Sequence, residues 1–546
     1  MAGHQSGQSS QADGTPSSLP GKQQVRNALE DAKELPPVTD SKAGDTGKGR
    51  AKKKRGRPRS RMRGEDLVTM VSGEIELWKT PDNQAFATIP VNGHLENSPV
   101  SQLGDWLIKR AIDYGKPVPG SQAVNDALAT FKAKARYGSL VFPVHLRVAE
   151  GPDGTLYIDL GNADWEVVKV TPEGWSIITD PPIKFARSNR SAPLPRPMPN
   201  GKLSDLRSFL NLPDDNDESW CLTLAWLLMA MRPSGGHPIL MVSGEQGSAK
   251  TTFTRVLRRI VDDSRVMVSS MPANERDFFV AAINTWVMAF DNLSFISAAD
   301  SDTLCKIATG TGYGTRRLHT DDEEMIFEGE RPVILNGITE LSHRPDLTDR
   351  SINLDLPSIP PDKREGEKAA KARFDAERPY IFGALLDVLS GTLAHLDDVE
   401  LQESPRMYDF AQLGVAMEQA LGWEEGTFLT AYQNNILRAE QATFENNPFA
   451  VALLDYVAKE YERKGDTYFS FTPEELLETL DRSVDEATRK IKAWPKAANK
   501  VRGNIKRTQT LLRSRGVDPD QRYLDGKHKD EHGNRCIAFT YNPNIT

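Results

Sequence analysis

The sequence predicts an α/β protein organised around a phosphate-binding loop, and three stretches carry that prediction. The apolar run Ile239 to Val242 breaks into Gly244-Glu245-Gln246-Gly247-Ser248-Ala249-Lys250-Thr251-Thr252, after which the chain to Ile260 has helical spacing. A second apolar run from Trp286 ends in Asp291-Asn292, and a third from Val333 ends in Asn336-Gly337. Apolar strands that alternate with helices and deliver polar groups at their ends belong to a parallel sheet, whose ligands sit beyond its carboxyl edge.

The chemistry of the loop follows from its residue types. Gly244 and Gly247 let the backbone turn its amides inward, and those amides, with the helix N-terminus, would hold phosphate. Glu245, Gln246, Ser248 and Thr252 complete the stretch that would wrap it. Lys250 would reach the β and γ phosphates of ATP as a point charge, and the Thr251 hydroxyl would complete a Mg2+ shell with phosphate oxygens. Ala249 stands where this spacing usually ends in glycine, which is tolerable if it adopts right-handed helical angles. Asp291 suits an outer magnesium ligand, and Asn336 suits an amide that orients the attacking water. Taken singly, the loop also reads as a glycine turn and each strand as a core strand with a polar end; their order argues otherwise.

Composition bounds the rest. A chain of 546 residues is too long for one core and implies about three or four units. The formal net charge is −8, so any nucleic-acid surface must be local. Three well-separated cysteines, Cys221, Cys305 and Cys536, argue against a disulfide framework or a thiolate metal site and fit a reducing cytoplasm. No apolar run approaches a membrane span and the N-terminus is not signal-like, so a cytoplasmic protein without membrane partners is expected.

Residues 1–63 have hardly a large apolar side chain and read as a disordered tail. The tail ends in a basic block, Lys52 to Arg61, in which Arg55-Gly56-Arg57-Pro58 resembles an AT-hook; there Arg55 and Arg57 would lie in the minor groove of A·T-rich DNA. A solvated basic tail or a sequence-blind DNA tether reads equally from the same residues. Residues 64–185 mix strand and helix patterns and predict a small α+β accessory domain. Asp159 and Asp164 there lack a third ligand and read as turn or surface residues. Residues 186–203, with four prolines, predict a stiff connector before a core at 204–360.

With the loop, the Asp291 strand and the Asn336 strand in place, the chain resembles superfamily 3 helicases, an AAA+ branch, especially the ATPase domains of phage and mobile-element primase-helicases. Leu304 to Asp322 is similar to that family's B-prime segment. The resemblance implies a hairpin facing a central pore, whose basic residues touch single-stranded DNA, making Lys306, Arg316, Arg317 and His319 candidates. Arg344 to Leu354 is also similar, which implies Arg350 as an arginine finger reaching a neighbour's nucleotide, with Arg344 in reserve. A finger acting in trans needs an oligomer, and the family implies a homohexamer. A structural Asp349 to Arg350 pair is the rival. One position departs from many relatives, which place a carboxylate after the aspartate as general base; Asn292 cannot accept that proton. Glu275 and Asp277 could supply a base, although both read more simply as exposed charge.

Residues 361–445 predict a helical lid or collar, and 446–546 the order of a winged helix: helices over 449–463, 473–480 and 495–515, then strands over 521–524 and 536–541. Lys500, Lys506 and Arg507 lie along the third helix and fit a duplex groove, although a solvated basic helix would need no partner. The expectation is an ATP- and Mg2+-dependent DNA helicase or translocase of phage or mobile-element replication, with single-stranded DNA in the pore and duplex at the winged helix or tail. The alternative is an ATP-gated DNA-binding switch, origin-recognition factor or helicase loader that unwinds little.

Overall fold

The computed structural model describes residues 62–213, 217–310, 312–316, 324–327, 329–337, 344–491, 493–524, 529, 533 and 535–545. The tail with Arg55 and Arg57 lies outside them, as do Arg317 and His319. The chain divides into two units, one reaching Lys169 and taking in Ser176–Ser188, the other made of Val170–Trp175 and Asn189 onward.

The first unit opens with α1 (Gly64–Val71), β1 (Glu76–Lys79), β2 (Ala85–Val91), β3 (His94–Pro99), α2 (Gly104–Asp113) and α3 (Ser121–Tyr137). The strands pair antiparallel in the order β1-β2-β3, and Leu67, Val71, Ile89, Leu107 and Phe131 close a core between sheet and helices. Short strands follow: β4 (Val144–His145), β5 (Val148–Glu150), β6 (Leu156–Asp159), β7 (Val167–Thr171), β8 (Gly174–Ile178) and β9 (Lys184–Phe185). Lys184 is buried, and its Nζ lies 2.5 Å from Glu76 Oε2 and 2.7 Å from Thr88 Oγ1. A buried ammonium persists only when paired in this way. Asp159, expected at a turn or on the surface, is instead buried and gripped by Arg187 through Nε at 3.0 Å and Nη2 at 2.7 Å.

The second unit contains α4 (Leu203–Arg207), α5 (Asp217–Ala230), β10 (Ile239–Ser243), α6 (Lys250–Val261), α7 (Glu275–Asn284), β11 (Met288–Leu293) and α8 (Ala298–Thr309). It continues with β12 (Tyr313–Arg316), β13 (Glu324–Phe327), β14 (Val333–Gly337), α9 (Pro345–Thr348) and β15 (Ser351–Asp355). Four strands form a parallel sheet in the order β11-β14-β10-β15. Period-two alternation sends Ile239, Met241, Met288, Phe290, Val333 and Leu335 into one core with Phe278, Phe279, Leu304 and Ile307 of α7 and α8. Both faces are covered, which is why these strands read as continuous apolar runs.

The polar connector packs instead of spanning. Residues 189–201 belong to the second unit, where the Met198 amide donates to Pro379 O at 2.9 Å. Pro379 lies inside α10 (Glu367–Leu396), which is followed by α11 (Tyr408–Leu421) and α12 (Thr427–Glu445). A Cβ at Gly383 would lie 1.9 Å from Met198 O, and one at Gly201 1.8 Å from Tyr380 O. Contrary to expectation, α10 is long and apolar enough to cross a membrane. Its Ile381, Phe382, Leu385, Leu386 and Leu389 are buried in the protein.

The C-terminal part runs α13 (Pro448–Lys464), β16 (Tyr468–Phe471), α14 (Pro473–Ser483), α15 (Glu486–Lys490), α16 (Ala498–Arg513), β17 (Val517–Pro519), α17 (Gln521–Leu524) and β18 (Ile537–Tyr541). Its three strands pair antiparallel in the order β16-β18-β17. Two expectations are corrected. Residues 521–524 are helical, and the strand that pairs with β18 begins at Val517, because Gly516 at φ +76° turns the chain directly after α16. The strand β16, too short for a clear period, went unforeseen.

Two predictions follow from this packing. Gly383→Ala forces α10 off the connector and is expected to cost about 2–3 kcal/mol in urea unfolding. His237 is wholly buried at 5.6 Å from the Trp286 ring, and among the described residues neither ring nitrogen has a partner. Burial, reinforced by Arg331 and Arg232, depresses its pKa from 6.5 to about 3. The unfolded chain therefore takes up the proton first, so this site's stability is intact above 6.5 and lost as pH falls towards 3, at up to about 1.4 kcal/mol per unit. His237→Phe is expected to flatten that acid limb, measured as urea midpoints between pH 7 and 4.

Candidate functional site

The candidate phosphate loop lies at the carboxyl end of β10, between that strand and α6. Gly244 has φ +143°, and a Cβ there would sit 2.6 Å from Leu356 O and 2.7 Å from Ser248 Oγ, so close approach demands glycine. Ala249 has φ +62° and ψ +27°, the left-handed region, and not the right-handed angles that its side chain favours. The missing glycine therefore carries a cost of about 1–2 kcal/mol, held in place by the surrounding structure. Asn211 provides part of that hold, since its Nδ2 donates to Ser248 O at 3.0 Å and to Pro357 O at 2.6 Å. The Lys250 ammonium folds over the loop, donating to Gly244 O at 2.6 Å and Glu245 O at 2.9 Å.

Two strands, β11 and β14, and helix α6 bring the other expected residues to the same edge. Thr251 Oγ1 donates to Asp291 Oδ2 at 2.7 Å, and Asn336 Nδ2 donates to Asp291 Oδ1 at 3.2 Å. Thr254, one turn after Thr251 on α6, donates through Oγ1 to Asn336 Oδ1 at 2.8 Å. Asn336 and Thr254 are fully buried, so every bond fixes a rotamer. Thr254 escaped sequence reasoning, although its i+3 spacing from Thr251 was a readable signal.

Asn292 has a backbone reason for its identity. The β11 to β14 register shifts between Phe290 and Leu293, and Asn292 occupies this irregularity with φ +58°. Asparagine tolerates that conformation, and its exposed side chain leaves Asp291 facing the network. The upstream carboxylates are otherwise engaged: Glu275 Oε1 bonds Lys306 Nζ at 2.8 Å, and Asp277 closes the α7 cap with Asn274 at 2.9 Å.

The remaining candidates lie elsewhere. Lys306 is on α8, ahead of the hairpin, and carries that Glu275 pair. Strands β12 and β13 do form an antiparallel hairpin, with Arg316 opposite Glu324 at its described end. Arg350 bonds Asp346 through both its backbone carbonyl and its carboxylate, so the expected rival pair with Asp349 is replaced by one with Asp346. Ser351, the next residue, pairs with Ile239 at the start of β10. A strand length, roughly 13–17 Å, thus separates Arg350 from its own loop. Arg344 is held by Ala298 O at 2.9 Å and Asp302 at 3.0 Å. On α16, Lys500, Lys506 and Arg507 share the exposed face.

Beside the loop opens a cleft of about 1500 Å³ bordered by Phe209, Thr252, Val256, Pro357, Arg373 and Phe374. The Arg373 guanidinium stacks 4.0 Å above the Phe209 ring. Among the described residues no group of three His, Cys, Asp or Glu could hold a metal. Thr251 and Asp291 therefore offer a partial shell, which fits a cation that takes its other ligands from phosphate and water.

Relieving the loop's strain gives a direct check. Ala249→Gly is expected to leave stability equal or higher by about 0.5 kcal/mol, whereas Ala249→Val should lower it by at least about 1 kcal/mol. Asn336→Leu removes one donor from Asp291 and leaves the buried Thr254 hydroxyl without its acceptor, and should cost about 1–3 kcal/mol in chemical unfolding.

Comparison with known proteins adds the family context. Residues 205–438 match the family model AICE_RepA, described as actinomycete integrative conjugative element replication protein. Residues 449–544 match the AICE RepA C-terminal domain. No curated protein sequence matches the chain. Among solved structures, SCCmec type IV Cch, titled an active helicase, is 13% identical with a TM-score of 0.43, covering 86% of this chain and 93% of that one. The apo NrS-1 C-terminal region is 12% identical with a TM-score of 0.41, covering 87% of this chain and 98% of that one. The central and C-terminal parts of the chain thus match, in order, the two models of one replication-protein family, that of actinomycete integrative conjugative elements.

Proposed function

We propose that the chain is an ATP- and Mg2+-dependent DNA translocase of mobile-element replication, with an AAA+ core, working in the cytoplasm as a homo-oligomeric ring. The observation that carries this reading is the convergence of Lys250, Thr251, Asp291 and Asn336 at the carboxyl edge of one parallel sheet. The family match supports the replication role.

In this mechanism the backbone amides of residues 244–249 and the Lys250 ammonium bind the β and γ phosphates of ATP, and the neighbouring cleft takes the base and ribose. Magnesium, when bound, neutralises phosphate charge. Thr251 and Asp291 would be the residues that hold that cation, and the Asn336 amide, locked by Thr254, orients the attacking water. Arg350, at the far end of the sheet from its own loop, acts only on a neighbouring subunit's nucleotide, for which a closed hexamer is the natural assembly. The β12–β13 hairpin, with Arg316 and Arg317, tracks single-stranded DNA phosphates as interfaces close. The C-terminal domain is read as a winged helix, with Lys500, Lys506 and Arg507 of α16 along a duplex groove, and the Arg55 to Arg57 hook as a further duplex contact.

A second reading, an ATP-gated DNA-binding switch or helicase loader with slow turnover, is favoured by Asn292, an amide that follows Asp291 in the sequence and cannot take the proton. DNA-stimulated ATP hydrolysis and forked-duplex unwinding separate the two. Lys250→Ala is expected to lower turnover about 100-fold. Turnover without strand separation would remove the helicase assignment, and nucleotide-dependent DNA retention without turnover would establish the switch. Arg350→Ala and Asp291→Asn subunits should recover activity when mixed, and failure of every mixture to do so would count against action in trans. Lys500→Ala and Arg507→Ala should each reduce the salt slope of duplex binding by about 1.

A further inference from the structure

One guanidinium stands against the candidate phosphate loop without a role in the reading above. Arg364 follows the turn after β15, and a Cβ built on Gly247 would lie 3.0 Å from its Nη2 and 3.7 Å from its Cζ. Gly247 has φ +92°, so loop and arginine meet at a point with no side chain between them. The segment that carries Arg364 is tied to the loop by other groups. Leu356 N donates to Ser243 O at 2.9 Å, Ile359 N donates to Gly247 O at 3.4 Å, and Asn211 bridges Ser248 and Pro357. The Arg364 side chain makes its hydrogen bond through Nε, to Ile359 O at 3.2 Å, which among the described residues leaves both terminal nitrogens available.

Charge pairing distinguishes Arg364 from three nearby arginines. Arg255, Arg259 and Arg373 border the adjoining cleft, and each has a carboxylate partner: Glu367, Asp375 and Glu365. Among the described residues Arg364 has none. An exposed cation fixed over a glycine loop, with a planar fork free, suits a phosphate oxyanion, and its charge persists at every accessible pH.

We propose that Arg364 is a phosphate-binding residue that acts in cis, placing a second cation beside Lys250 on the phosphates of the bound nucleoside triphosphate. This rests on the reading of residues 244–251 as a nucleotide loop.

The test is equilibrium binding of a fluorescent ATP analogue with Mg2+ to the full chain, alongside thermal melts. Arg364→Ala is expected to weaken binding about 10-fold at unchanged Tm, Arg364→Lys to restore it to within about 3-fold, and Lys250→Ala to weaken it more than either. Recovery by lysine reports charge, which a purely structural packing role would not reproduce. If Arg364→Ala binds like the native chain while Lys250→Ala is impaired, the Arg364 assignment is overturned and the loop reading stands. If neither substitution changes binding, the loop reading falls and takes this assignment with it.

Discussion

The candidate site depends on one buried amide. Asn336 receives the Thr254 hydroxyl on its oxygen and gives its NH2 to Asp291, which in turn receives the Thr251 hydroxyl. The chain connects α6, β11 and β14, so helix and strands cannot shift independently at the edge where a nucleotide would act. Where Asn336 and Thr254 are buried, a bond is stronger than at the surface, and an orphaned partner costs more. An asparagine can do this because it donates and accepts at once; a carboxylate at the same position would repel Asp291.

The loop itself is held from outside. Its backbone is pressed against Leu356 O at Gly244, bridged by Asn211 at Ser248, and strained at Ala249. Left-handed alanine is unfavourable in isolation, so the contacts from residues 211 and 356–359 must outweigh it. The same contacts place Arg364 beside Gly247, which makes the turn after β15 part of the loop's wall. Strain at Ala249, in the loop that follows β10, and the conformation of Asn292, on β11, flank the contact between Thr251 and Asp291, as expected where backbone geometry is not set by propensity.

The C-terminal domain solves a different problem. Val501, Ile505, Leu511 and Leu512 of α16 are buried against α13, α14 and the three-stranded sheet. The opposite face then turns Lys500, Lys506 and Arg507 to solvent. A helix anchored on one side by apolar spacing and basic on the other can present several cations in register at no further ordering cost.

Apolar runs and their terminal residues were enough, in the sequence alone, to place β10, β11 and β14 and to pick out Lys250, Thr251, Asp291 and Asn336, because strand burial and phosphate chemistry are local demands. The prolines at 448 and 473 likewise marked α13 and α14. Only the tertiary structure decided the sign of φ at Ala249, the partner of Arg350, the burial of Asp159, the packing of residues 189–201 on α10 and the approach of Arg364 to Gly247. Each of these depends on atoms brought together from distant parts of the chain, and periodicity carries no information about such meetings. The short β17 and α17 were misplaced for a related reason: a strand of three residues is defined by its partner, here β18, and not by its own pattern.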